Sequence, residues 1–264
     1  MTHIPGIFIL WKVDYSGRML KPRAHVIGIP VEGPSWEELL PEIRATRQPL
    51  WIVTLNPEMV VSASRSTEYK AVLQQADVRT VDGFGLWLFL RIRGTSTHRL
   101  TGADMSERLM DIAEQEGWKV GCFGGKRGVT PALESYLHRQ YPRLSFLVEE
   151  AGIVHPDGNM DDLSEEALHR MTLFSPDLLF VSLGGNGTKQ EQWIMRHITH
   201  LPHLRAIVGI GGTFDYWSGA IPRAPRIMRR LGIEWVWRLL KEPSRIGRIW
   251  RATAVFLYIM VKST

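Results

Sequence analysis

Trp51-Ile52-Val53-Thr54-Leu55-Asn56-Pro57-Glu58 is an apolar run of strand length that stops at a polar turn, and the amphipathic stretch Pro57–Gln75 follows it. The same sequence of events repeats along the chain. Strand-like runs fall near Ala24–Ile29, Trp51–Leu55, Arg79–Val81, Lys119–Phe123, Leu144–Val148, Leu178–Leu183 and Ala206–Ile210. Between them lie helical patterns near Trp36–Ala45, Pro57–Gln75, Gly102–Glu116, Thr130–Gln140, Leu163–Phe174 and Gln190–His200. Ser35 before Trp36 with Glu38 three residues on has the form of a capping box, Gly117 follows a long amphipathic run, and Pro142 and Pro176 stand just beyond helical stretches. Alternation of this kind specifies a Rossmann-like α/β fold, a mostly parallel sheet with flanking helices.

The 264 residues suffice for one such domain and an addition to it. Residues 1–22 precede the alternation and are expected to be an N-terminal extension, 23–219 the catalytic α/β domain, and 220–264 a C-terminal helical appendage. Hydrophobic content of 44% and charged content of 22% are those of a folded globular chain rather than a disordered one. Cys122 is the single cysteine and sits in an apolar run, which excludes an intrachain disulfide and fits a reducing, cytoplasmic setting. The apolar stretch near the N-terminus lacks the basic flank and cleavage site of a signal peptide, and no apolar run reaches the length that spans a bilayer.

Charge is distributed unevenly. From Arg223 onward ten Lys or Arg face only Glu234 and Glu242, a net of +8, whereas the preceding residues hold 22 Lys or Arg against 25 Asp or Glu, a net of −3. Arg238, Lys241, Arg245, Arg248 and Arg251 recur at helical spacing, with Leu239, Ile246, Ile249 and Trp250 largely opposite. A basic amphipathic, Trp-bearing segment suits the interface of an anionic membrane leaflet. A helix packed on the body with a solvated Arg face is the plainer reading, and the acidic body argues against nucleic acid as partner.

In an open parallel sheet ligands bind beyond the C-terminal strand ends. The residues there are Thr54-Leu55-Asn56-Pro57, Asp82-Gly83-Phe84-Gly85, Gly124-Gly125, Gly184 to Glu191, and Gly209 to Asp215. Glycines at such ends let a phosphate approach main-chain N–H groups at a helix start, although tight strand-to-helix turns explain each cluster taken alone. Asp82 at a strand end has the placement of a general base, or of a plain turn former. Arg99 has the charge to meet a diphosphate. No G-x-G-x-x-G or G-x-x-x-x-G-K-[ST] loop occurs, which counts against dinucleotide dehydrogenases and P-loop NTPases. No D-x-D is present to hold a divalent ion on a donor diphosphate, and His197, His200 and His203 lack further ligands nearby, so no metal and no cofactor are expected.

Taken in order, Thr54-Leu55-Asn56-Pro57-Glu58, Asp82-Gly83-Phe84-Gly85, Arg99 to Asp104, Phe123-Gly124-Gly125, Lys189 to Trp193, Gly211 to Asp215, Arg223-Ala224-Pro225 and Gly232 to Trp235 leading to Glu242-Pro243-Ser244-Arg245 resemble the WecG/TagA/CpsF family of bacterial glycosyltransferases. The resemblance runs from about His25 to Arg251. It implies inverting transfer of an N-acetylmannosamine-type sugar from a UDP carrier to a GlcNAc on a polyprenyl diphosphate, without a metal. By the same pattern Asp82 would be the base, Thr54, Asn56 and Gln190 would line the sugar pocket, Arg99 would meet phosphate and Asp215 would lie near the nucleotide. The turn Gly184-Gly185-Asn186-Gly187-Thr188 is two residues longer than the family's usual Gly-x-Pro turn. Gly124 and Gly125 are expected at the substrate, and Arg223, Arg226, Arg238, Arg245 and Arg248 at the membrane or a diphosphate. The expected protein is a peripheral enzyme of the inner face of the plasma membrane, compatible with self-association. The alternative is a non-catalytic nucleotide- or partner-binding protein in which Asp82 is only structural.

Overall fold

The computed structural model describes residues 20–184, 188–243, 246–247 and 251–262. Most of the N-terminal extension, the centre of the long Gly184–Thr188 turn, and Arg245, Arg248, Ile249 and Trp250 lie outside the described residues. Six strands form one parallel sheet: β3 (Leu50–Leu55), β4 (Val78–Val81), β5 (Lys119–Gly124), β6 (Ser145–Glu149), β7 (Leu178–Ser182) and β8 (Ala206–Gly209). Their order is β4-β3-β8-β7-β5-β6, with every neighbouring pair parallel.

The strands are nearly continuous apolar sequence because helices cover both faces. Successive residues point to opposite layers, as strand geometry requires. In β3, Trp51, Val53 and Leu55 enter one core while Leu50 and Ile52 enter the other, and Leu179 and Val181 oppose Leu178 and Phe180 in β7. One layer is built on α1 (Trp36–Ala45), α5 (Gly102–Glu116), α6 (Thr130–Gln140) and α9 (Thr213–Trp217). The other is built on α2 (Pro57–Arg65), α3 (Thr67–Gln75), α4 (Phe84–Ile92), α7 (Asp162–Phe174) and α8 (Lys189–His197). Cys122 is buried in the first layer, and burial pushes its thiol well above its ordinary value.

The expected capping box is present: Glu38 N–H donates to Ser35 Oγ at 3.3 Å and Ser35 N–H to Glu38 Oε2 at 2.8 Å. Gly117 closes α5 at φ 71°, in the left-handed region. Three expectations change. Residues 24–29 are not one strand but the start of an antiparallel hairpin, β1 (Ala24–Val26) and β2 (Ile29–Val31), turned at Ile27 and Gly28, both of positive φ. The single helix expected over 57–75 divides at Ser66, which ends α2 and caps α3 by accepting Tyr69 N–H at 3.1 Å. Phe84–Ile92, of which only Phe84 and Gly85 belong to a motif and for which no element is expected, is a helix.

Beyond α9 the chain forms α10 (Arg226–Arg230) and α11 (Glu234–Lys241), then a π-helical turn at Arg251–Val255 and α12 (Phe256–Lys262). Phe256 and Met260, one turn apart in α12, are buried in the layer that contains α2 and α3. Each such buried side chain stabilises by about 1.5–3 kcal/mol. The last helix is therefore part of the hydrophobic core on one face, while Leu257, Tyr258 and Val261 are exposed on the other.

Candidate active site

The C-terminal ends of β3, β4, β5, β7 and β8 open into a cleft of about 1190 Å³. Thr54, Asn56, Asp82, Gly125, Gln190 and Asp215 line it, and so does Arg238 from α11. Seven residues singled out from distant parts of the sequence thus share one space. Gly124, Arg99 and Arg223 are not among its lining residues, and Arg226 is exposed.

Asp82 is the first residue after β4. Its own N–H donates to Leu55 O at 2.8 Å, which continues the β3 to β4 pairing one step past the strand. Gly83 then turns at φ 87°, where a Cβ would press on Pro57 Cδ at 2.9 Å. Arg99 lies in a bridge beside Val81, and α5 begins three residues later, so that Gly102 N–H donates to Asp82 Oδ2 at 3.3 Å. Burial pushes the Asp82 carboxyl up to about 6, against the opposing pull of Gly102 N–H and the Arg99 guanidinium and with the help of the Glu234 charge. A carboxylate with that affinity for a proton, at a cleft, is suited to general-base chemistry near neutral pH.

Thr54 Oγ1 donates to Gly209 O at 3.0 Å, tying the ends of β3 and β8 together. Asn56 caps α2, its Oδ1 accepting Met59 N–H at 3.0 Å. Gly124 has a structural duty instead of a lining one: at φ 104° its bare Cα packs against Ser182 O, and Gly125 N–H donates to that same oxygen at 2.6 Å. Asp215, buried in α9, pairs with Lys126 Nζ at 3.1 Å. Arg238 reaches the same corner, its guanidinium filling the place that a Cβ on Gly212 would take and lying 5.2 Å from the Tyr216 ring centroid.

Two arginines N-terminal to α11, Arg223 and Arg229, are engaged with the body. Arg223 pairs with Asp104 and Glu107, Arg229 Nη1 approaches Asp104 Oδ1 at 3.4 Å, and Arg99 Nη1 donates to Arg229 O at 3.1 Å. Lys126, Arg127 and Arg170 line the cleft and escaped the sequence reading, and Glu58, Lys189 and Glu191, which stand within its motifs without a role, line it too. For Lys126 and Arg127 a signal was available, since they interrupt the glycine turn Gly124-Gly125-Lys126-Arg127-Gly128. Glu191 is buried, and that burial lifts its carboxyl to about 7 although Gln190 and Tyr69 hydrogen-bond it. The ring of His197 packs beside Trp193 at 5.1 Å between centroids, and among the described residues no group of three or more His, Cys, Asp or Glu is disposed to hold a metal.

The sequence model of the glycosyl transferase WecG/TagA/CpsF family matches residues 24–264. The chain belongs to this family. Two of its similar relatives come from Staphylococcus aureus strains MW2 and MRSA252, and both are named N-acetylglucosaminyldiphosphoundecaprenol N-acetyl-beta-D-mannosaminyltransferase. Each is 34% identical over 215 residues, covering 81% of this chain and 80% of the relative. The family model's match, residues 24–264, spans every strand of the parallel sheet and all the cleft residues described above.

Proposed function

We propose that this transferase moves an N-acetylmannosamine-type sugar from UDP to the GlcNAc of a GlcNAc-diphospho-polyprenol, with inversion, in cell-surface polysaccharide synthesis. The names of the relatives support the sugar and the acceptor. The observation that carries the catalytic reading is Asp82: a carboxyl at the end of β4 that faces the cleft and whose burial pushes its pKa up to about 6. In this reading Asp82 takes the proton from the acceptor hydroxyl as its oxygen attacks the anomeric carbon, and the bond from that carbon to UDP breaks on the opposite side. Thr54, Asn56 and Gln190 hold the sugar and Asp215 lies near the nucleotide, while Arg99, bonded to Arg229 O and outside the cleft lining, acts on the charge of Asp82. Charge on the departing UDP is met by lysine and arginine side chains, of which Lys126, Arg127 and Arg238 are at hand, so transfer needs no metal.

Residues 220–264 serve, in the same reading, as a membrane-associating appendage to the catalytic unit 23–219, at the inner face of the plasma membrane. Among the described residues no helix is long and apolar enough to cross a membrane. Exposed Ile227, Trp235, Leu240, Leu257 and Val261 on α10, α11 and α12, with Leu231 just after α10, amid basic side chains, support peripheral docking.

The deciding experiment is a panel of UDP-sugars assayed with a GlcNAc-diphospholipid acceptor, with and without EDTA. Stereospecific transfer of an N-acetylmannosamine-type sugar that survives EDTA is expected. UDP binding without transfer from any donor would leave the alternative of a non-catalytic nucleotide-binding protein.

A further inference from the structure

The wall of the cleft holds a carboxylate that the proposed chemistry does not use. Glu191 is 3% exposed and stands in the first turn of α8. Tyr69 Oη of α3 donates to its Oε2 at 3.3 Å, and Gln190 Nε2 donates to its Oε1 at 2.9 Å. The Gln190 amide and the Glu191 carboxylate pack on the bare Cα of Gly209, in the space a side chain there would fill. Gly209 O accepts Thr54 Oγ1. Two of the proposed sugar contacts, Thr54 and Gln190, are thus registered against one residue at the end of β8.

A fold-only role is poorly served by this arrangement. Burying a carboxylate opposes folding, and an apolar side chain of similar size would pack the same space at less cost. The carboxylate does have a geometric effect that no apolar group has. An amide is planar, and once its nitrogen is drawn to Glu191 its oxygen must lie on the other branch.

We propose that Glu191 is the positioning residue of the donor sugar site: backed by Tyr69 and seated on Gly209, it holds the Gln190 amide nitrogen inward and presents the Gln190 carbonyl to a hydrogen-bond donor on the sugar. This rests on the transferase reading given above. It makes the selectivity of the pocket a property of two adjacent residues, only one of which touches the substrate.

The test compares Glu191→Gln, Glu191→Asp and Gln190→Ala, singly and with Glu191→Asp and Gln190→Ala combined. Glutamine keeps an acceptor oxygen at the same reach, with the Tyr69 hydroxyl turning to accept its NH₂. Aspartate keeps the charge but falls one methylene short. Glu191→Asp is expected to lower kcat/KM for the UDP-sugar roughly tenfold, the size of one lost charge-assisted hydrogen bond, with UDP affinity unchanged. Glu191→Gln is expected to stay near the wild type. The double variant is expected to be no worse than Gln190→Ala, because the two residues act as one unit. The inference is overturned if Asp substitutes well and Gln poorly, if the two losses add, or if UDP affinity falls with the sugar effect. Silence of the wild type with every UDP-sugar overturns the transferase reading itself, a different outcome from an active wild type with additive variants.

Discussion

The ring of Phe84 fills the space that a side chain on Gly232 would need. Phe84 follows Asp82 and Gly83 directly and begins α4, while Gly232 lies between α10 and α11 at φ 72°. The C-terminal segment is therefore seated on the turn that carries Asp82. The Arg99 bond to Arg229 O and the pairing of Arg223 and Arg229 with Asp104 hold the same segment from its other side.

Replacing Gly232 with Val adds both backbone strain at positive φ and overlap with the ring. A cost of about 1–3 kcal/mol to the seating of this segment is expected. Limited proteolysis is the measurement: cleavage between residues 220 and 243 should accelerate while the midpoint of global unfolding falls by only a few degrees. Deleting everything after Gly219 is a less discriminating experiment, because it also strips Phe256 and Met260 from the core.

Glu32 and Arg79 form a buried pair that does not line the cleft. Arg79 Nη2 donates to Glu32 Oε1 at 2.6 Å and Nε to Oε2 at 3.0 Å, while Nη1 donates to Ala76 O at 2.8 Å. With side-chain exposures of 5% and 3%, removal of either partner strands a buried charge. Arg79→Ala is expected to cost about 3–5 kcal/mol in urea denaturation. Transfer activity of the fraction that remains folded should be unchanged, and a selective rise in KM would assign the pair to the substrate instead.

Local signals made much of this fold legible. Ser35 with Glu38, Gly117 after its long run and the apolar strands each carry their instruction within a few residues, and the structure follows them. Phe84–Ile92 did not read as a helix because it is apolar on nearly every side, packed between the second core layer and the C-terminal segment, and so shows no clear amphipathic period. Ser66 splits α2 from α3 through a cap whose sequence, Ser66-Thr67-Glu68-Tyr69, sits inside an otherwise continuous helical pattern. In the site, residues at strand ends could be found because the topology sends every strand end to one cleft. Arg238 stands out by its helical spacing, but its contact with Gly212 and those of Glu191 with Tyr69 and Gly209 are encoded by no spacing along the chain. The partnership of Glu32 with Arg79 across 47 residues is of the same kind.

Leu257 and Val261, one turn apart and 54% and 78% exposed, give the membrane reading a specific test. The opposite face of α12 is buried, so charges placed at these two positions leave the core intact. Leu257→Glu with Val261→Glu should weaken sedimentation with vesicles containing anionic lipid by roughly tenfold or more, from lost apolar insertion and added repulsion. The unfolding midpoint and turnover of a short-chain soluble acceptor should stay as they were. Unchanged vesicle binding would remove these residues from the docking surface.

The elevated Asp82 carboxyl predicts two pH dependences of opposite sign. As a base it must be ionised, so kcat/KM should rise with pH through about 6. Glu234 raises the Asp82 value and Arg99 lowers it. Glu234→Gln should therefore shift the acid limb to lower pH, and Arg99→Gln to higher pH, whatever else Arg99 does for binding. For stability, a carboxyl whose folded value lies above its unfolded one of 3.8 binds its proton more tightly when folded. Its contribution is complete below that unfolded value and is lost as pH rises to about 6 and beyond, where the buried carboxylate works against the fold. Asp82→Asn removes that penalty. At pH 7 it should unfold at the same temperature as the wild type or a higher one, while kcat falls about 10²–10⁴-fold and UDP affinity is retained. A variant that is less stable at pH 7 yet still active would assign Asp82 to the turn alone.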